Sequence, residues 1–238
     1  MLTFLLGGVT AHGFQKLNTE DPYMVYPADQ LIEKSADVQE NPFGFLKLGF
    51  NHILDGEDHL LFVLGITLVP GYLVKIRENW WPLAKMVTAF TAGHATTIIL
   101  NYYGYAQIPS LLVEGAIALS IALIGFENLA IMKQKLTVSN SRRYLVLGII
   151  GLIHGMGFAG ALDSLTISAS HEAFLLAAFN LGIELGQIAF MLVAGTLAYI
   201  SMKYTSEEFV VEKTSLFLFL AGGIWTVTRV VPEVLGIV

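Results

Sequence analysis

The residues from Leu111 to Met132 read LLVEGAIALSIALIGFENLAIM, an apolar run interrupted by two acids, one serine and one asparagine. An α-helix rises about 1.5 Å per residue, so this run would extend about 33 Å and cross a hydrocarbon core of about 30 Å. A helix also satisfies its own backbone hydrogen bonds, as lipid demands. The run therefore predicts a transmembrane helix.

Five further stretches resemble this run, and together they predict an all-α integral membrane protein, a bundle of about six transmembrane helices. The predicted spans are Leu46–Val69, Leu83–Tyr103, Leu111–Met132, Tyr144–Leu165, Ala173–Met202 and Leu216–Val231. The composition agrees, with 55% hydrophobic and only 13% charged residues. A soluble domain carries about 25% charged residues, so this chain has too few polar groups to cover a water-exposed surface.

The distribution of lysine and arginine predicts the orientation in the membrane. Nine of the thirteen basic residues lie in the connections after the first, third and fifth spans or, for Lys85, within the first three residues of the next span: Lys75, Arg77, Lys85, Lys133, Lys135, Arg142, Arg143, Lys203 and Lys213. Connections rich in lysine and arginine stay in the cytoplasm, so both termini are expected outside. Residues 1–43 are then an extracytoplasmic segment with a signal-like start, and residues 44–238 are a polytopic helical membrane domain. We expect a bacterial inner (plasma) membrane location.

Charge and cysteine content narrow the function classes. The net charge is -6, and no basic stripe with interleaved aromatic residues occurs, so nucleic acid is not an expected partner. The chain has no cysteine, which excludes disulfides, thiolate metal sites and cysteine nucleophiles. The lipid bilayer is the first expected partner, and the sequence leaves the oligomeric state open.

The first predicted span carries several ionisable side chains. His52 and His59 are seven residues apart and share one helical face, with Asp55 between them on the same stripe. Asp58 points about 100° away from His59. Two imidazoles and a carboxylate on one stripe form half of a plausible site for a divalent transition metal. The alternative is a water-facing helix start, since acids also suit a helix N-terminus.

Other spans add polar groups that are costly in lipid and are expected to face the bundle interior. His94 and Glu184 are expected near the middle of their spans, and His154 stands beside Gly151 and Gly155, whose spacing permits close helix packing. Residues expected to support the ligands, by hydrogen bonding or capping, are Asp55, Thr91, Thr97, Glu114, Asn180 and Gln187. Arg229 is predicted to be an interface anchor.

Five ordered motifs resemble the HupE/UreJ family, specifically its second branch. They begin at His52 (HILDGEDH), Phe90 (FTAGH), Val113 (VEGAIALSI), Gly151 (GLIHGMGFA) and Phe179 (FNLGIELGQ), and the resemblance runs from about Gly44 to the C-terminus. It implies a polytopic membrane protein associated with nickel or cobalt uptake. It also implies metal-related roles for His52, Asp58, His59, His94, His154 and Glu184.

Three functions are compatible with these residues. The first is a permease or binding protein for a divalent transition metal, nickel, cobalt or zinc, held by histidine and acidic side chains within the membrane. The alternative is an intramembrane metal-dependent hydrolase with a zinc-type histidine site, in which Asp58 or Glu184 is the general base. A structural protein, whose polar groups only bond between helices, is the third.

Overall fold

The computed structural model describes residues 41–71, 80–105, 108–136, 138–157 and 172–234. The described residues form seven helices and contain no strand. The helices are α1 (Pro42–Asp55), α2 (Glu57–Thr67), α3 (Trp81–Tyr102), α4 (Ser110–Met132), α5 (Asn140–Met156), α6 (Glu172–Ser201) and α7 (Glu207–Val234). The all-helical fold class is thus confirmed.

The first predicted span is two helices rather than one. The chain begins α1 with Asn41, whose side chain caps the backbone N–H of Phe43 at 3.0 Å, and leaves the helix at Gly56. Gly56 is buried and extended (φ -88°, ψ 98°), and α2 starts at the next residue. Glycine is the ordinary residue least suited to a helix interior. The prediction of one continuous helix over Leu46–Val69 was therefore wrong at Gly56.

Three helix pairs make the closest contacts: α1 with α6, α3 with α5, and α4 with α7. In the first pair, a Cβ added at Gly49 would overlap the carbonyl oxygen of Phe179, and one at Gly182 would overlap that of Leu46. The second pair shows the same arrangement, because a Cβ at Gly151 would overlap the carbonyl oxygen of Phe90. Small residues let backbones approach where lipid supplies no hydrophobic drive between helices.

The described bundle has an unusually apolar surface and several polar side chains within a mainly apolar core. Large apolar side chains such as Leu192, Val193 and Leu197 are more than half exposed, whereas several polar side chains are buried inside. Among the described residues, four helical segments are long and apolar enough to cross a membrane by length and composition: Trp81–Asn101, Leu111–Met132, Ala173–Ser201 and Glu207–Val231. The count of six spans and the outside location of the termini stay predictions.

Some predictions fall wholly or partly outside the described residues. They include the N-terminal segment up to residue 40, the basic residues Lys75 and Arg77, and the predicted fourth span beyond Gly157. The described part of that span, α5, ends at Met156.

Candidate metal centre

Three histidines converge inside the bundle. His52 comes from the last turn of α1, His59 from the first turn of α2 and His94 from the middle of α3. One ligand nitrogen from each lies within 4.8 Å of the other two. This triad is the only group of three or more possible metal ligands among the described residues.

The break at Gly56 lies between the first two histidines of the triad. In an unbroken helix, positions seven apart are separated by about 10.5 Å along the axis. The ring centroids of His52 and His59 are 4.8 Å apart, and those of His59 and His94 are 5.7 Å apart. The imidazoles of α1, α2 and α3 therefore lie close together in one part of the bundle.

Burial differs across the triad. His59 and His94 are almost fully buried, at 1% and 0% exposure, whereas His52 is only partly buried. Asp55, one turn after His52, is exposed. The triad is thus closest to the surface on the α1 side, at the C-terminal end of that helix, where the helix dipole is negative and favours a cation.

His154 of α5 stands beside the triad. Its ring centroid is 5.3 Å from that of His59, and its Nε2 lies 2.9 Å from the hydroxyl oxygen of Ser120 on α4. Phe62 and Phe90 pack against the same ring at 5.2 Å and 5.1 Å between centroids. An imidazole held by a hydroxyl and two aromatic rings has little rotational freedom. The ring of His154 therefore packs beside His59 in a fixed orientation.

Asp58 is bound by Arg229 of α7. The Nη2 and Nη1 atoms of Arg229 donate to the two carboxylate oxygens of Asp58, each at 3.2 Å, and the side chains are 10% and 4% exposed. Arg229 is therefore an internal residue, and its prediction as an interface anchor was wrong. The sequence did indicate an internal partner for this residue, because Arg229 is the one basic residue within the predicted sixth span.

Two side-chain hydrogen bonds, here called the polar ladder, join α3 to α6. The hydroxyl of Thr91 donates to Oε1 of Gln187 at 2.9 Å, and that of Thr88 donates to Oε1 of Glu184 at 2.5 Å. Thr91 and Thr88 follow His94 at three-residue steps toward the start of α3. Thr88 was not singled out by sequence, although it continues that spacing. Glu184 is partly exposed and is not part of the triad.

The remaining predicted supporting residues have other surroundings. Thr97 donates its hydroxyl to the carbonyl of Gly93 in its own helix at 3.4 Å, and Asn180 likewise donates to the carbonyl of Leu176 at 2.8 Å. Glu114 is partly buried, and its backbone carbonyl lies 3.5 Å from Nη1 of Arg229.

The fold and the triad define a helical membrane protein with an internal cluster of metal-ligand side chains. The chain belongs to the HupE/UreJ family, because the family described as HupE / UreJ protein matches residues 28–229. This confirms the resemblance seen in the motifs and extends it into the N-terminal segment. The family is associated with nickel and cobalt transport. No curated protein and no solved structure is significantly similar to the chain.

Proposed function

We propose that this protein is a permease or binding protein for a divalent transition metal ion, which it holds within the membrane at His52, His59 and His94. The observation that carries the proposal is the convergence of three imidazoles, with ligand nitrogens within 4.8 Å of one another, from three separate helices. Two of them are buried, and a buried ligand cluster in a membrane bundle is costly without a function. A bacterial inner membrane is the proposed location.

The ligand chemistry supports nickel, cobalt or zinc. Imidazole nitrogens suit these borderline ions, whereas magnesium and calcium prefer oxygen ligands. Neutral imidazoles add no charge of their own, so the ion's charge must be offset by acidic groups or helix dipoles nearby. The C-terminal end of α1, the exposed Asp55 and the more distant Glu184 are suited to that role.

The arrangement also supports passage of the ion. His52 and Asp55 lie on the more exposed side and form the proposed access point. The polar ladder begins one turn before His94 on α3. Its two pairs, Thr91 with Gln187 and Thr88 with Glu184, supply oxygen atoms for a second, weaker metal-binding site. Conduction requires several sites that bind weakly enough to release the ion. Glu184 is therefore proposed as a transit group, with His154 and Asp58 supporting the triad.

The hydrolase alternative uses the same three histidines, since three imidazoles with one open position are typical of catalytic zinc. It needs a general base within reach of a bound water. Both carboxylate oxygens of Asp58 accept bonds from Arg229, and Glu184 accepts one from Thr88. Because Arg229 binds both oxygens of Asp58 and Glu184 lies outside the triad, we propose transport or binding ahead of hydrolysis.

The test measures bound metal and uptake in the same variants. Protein purified in detergent without chelator is loaded with nickel, cobalt or zinc and analysed by mass spectrometry, and the same protein in proteoliposomes is assayed for metal uptake. His94→Ala is expected to lose both bound metal and uptake. Thr97→Val is the control, because the Thr97 hydroxyl bonds the carbonyl of Gly93 in its own helix. This variant should retain both the bound metal and the uptake.

The outcomes separate the candidate functions. Bound metal with uptake, both lost in His94→Ala, supports the permease. Bound metal without uptake leaves a binding protein or an enzyme, which an assay for zinc-dependent hydrolysis of lipid and peptide substrates then separates. A wild-type protein that binds none of the three metals would contradict the proposal.

A further inference from the structure

The Asp58–Arg229 contact connects the triad to the far end of the chain. Asp58 immediately precedes His59 in the first turn of α2, and Arg229 lies near the end of α7, 171 residues later. The guanidinium also lies 5.2 Å from the ring of Trp225 and 3.5 Å from the backbone carbonyl of Glu114 on α4. One arginine therefore holds together α2, α4 and α7 next to a triad histidine.

We propose that Arg229 is a positioning residue for the metal site, and that its two hydrogen bonds hold Asp58 as an anchor for His59 rather than as a metal ligand. This inference rests on the proposed metal-binding function and deepens it. The family resemblance implies a metal-related role for Asp58. The geometry points to a role exerted through the backbone of α2.

Two physical features support this assignment. Bidentate arginine–carboxylate pairs are the strong, directional kind of hydrogen-bonded ion pair, and this one is nine-tenths buried on both sides. Asp58 also lies in the first turn of α2, where the positive end of the helix dipole stabilises a carboxylate. Both features hold the Asp58 side chain in one orientation, and the start of α2 is held against α7.

The position of the anchor explains why it matters for His59. Because the chain is extended at Gly56, the direction of α1 does not determine the direction of α2. The ring of His59 must nevertheless meet His52 and His94 at centroid distances of 4.8 Å and 5.7 Å. The ion pair supplies the missing constraint at the residue directly before His59. Groups that orient a metal ligand typically contribute about 10- to 100-fold in metal affinity.

The experiment titrates the full-length protein in detergent with cobalt and follows the visible absorption of the bound ion. Asp58→Asn and Arg229→Gln are each expected to weaken cobalt binding by roughly tenfold. The double variant should be no weaker than the worse single variant, because both changes remove the same interaction. The shape of the cobalt spectrum should stay that of the wild type in all three.

The matched control is Arg143→Gln. Arg143 of α5 forms an ion pair with Glu127 of α4 at 3.0 Å, and the two side chains are 7% and 23% exposed. Its loss should destabilise the bundle to a similar degree but leave cobalt affinity within about twofold of the wild type, because the pair does not adjoin the triad. If Arg229→Gln is not monodisperse, Arg229→Lys keeps the charge and is expected to show a smaller loss.

Several results would overturn the inference. An altered cobalt spectrum or complete loss of binding in Asp58→Asn, with Arg229→Gln near wild type or tighter, would make Asp58 a ligand. An equal loss in Arg143→Gln would indicate general destabilisation. A wild type that binds no cobalt would instead remove the metal site itself, which is a failure of the proposed function.

Discussion

His59 and His154 face each other edge to face, with 5.3 Å between ring centroids and an interplanar angle of 74°. Only His59 belongs to the triad, whereas Nε2 of His154 lies 2.9 Å from the hydroxyl of Ser120. The two residues are equally buried, at 1% exposure each. Burial therefore does not distinguish them, whereas the distances between ligand nitrogens do.

This relationship predicts unequal effects on metal binding. His59→Ala removes one of three ligands and is expected to abolish stoichiometric binding of cobalt or nickel. His154→Ala removes a supporting ring and is expected to weaken binding by about 10- to 100-fold. Equilibrium dialysis with radiolabelled nickel measures both. Equal, complete loss in the two variants would make His154 a fourth ligand.

Metal binding is expected to stabilise the folded protein. A ligand that binds only the folded state adds about 2.7 kcal/mol at 100 times its dissociation constant. Thermal unfolding in detergent should therefore shift upward on addition of cobalt or nickel. The shift should disappear in His94→Ala. It should persist in Asn128→Leu, because the amide of this buried α4 residue bonds the carbonyl of Gly65 at 2.9 Å rather than a triad histidine. A shift retained in His94→Ala would place the ion elsewhere.

Close packing of α3 and α5 is expected to depend on several glycines, and Gly151 is one of them. An alanine at Gly151 would drive its Cβ into the carbonyl oxygen of Phe90, so Gly151→Ala should cost about 1–3 kcal/mol. It should also weaken metal binding, because α3 carries His94. Thermal unfolding and cobalt titration test both effects.

The control for this substitution lies in the same helix. At Gly148 a Cβ would lie 3.5 Å from the carbonyl oxygen of Ala89, an ordinary contact. Gly148→Ala should therefore be neutral or stabilising by roughly 0.5–1 kcal/mol, the usual gain from replacing a helical glycine. Equal destabilisation by the two alanines would contradict the observed packing.

Substitution of Glu184 is expected to reduce metal transport without reducing metal binding. Glu184→Gln keeps the shape and the bond from Thr88 but removes the charge proposed to attract an ion leaving the triad. Metal uptake into proteoliposomes should fall strongly, while the metal bound in detergent stays near the wild-type level. Loss of bound metal in Glu184→Gln would instead make Glu184 a ligand of the resting site.

The amino-acid sequence alone was sufficient for the fold class and for most candidates of the site. Apolar runs of membrane-spanning length predict helices because lipid leaves the backbone no other partner. Ionisable residues such as His59 and His94 stand out within those runs because their burial in lipid is costly. The ordered motifs also predicted the family that residues 28–229 match.

The sequence did not reveal which of these polar residues meet. It also did not reveal the helix break at Gly56. The pairing of Asp58 with Arg229 and the separation of Glu184 from the triad depend on contacts between residues far apart in the chain. Helical periodicity assigns a residue to a face of its own helix. The neighbour of that face depends on helix packing, which here is set by glycine contacts such as Gly151 against Phe90.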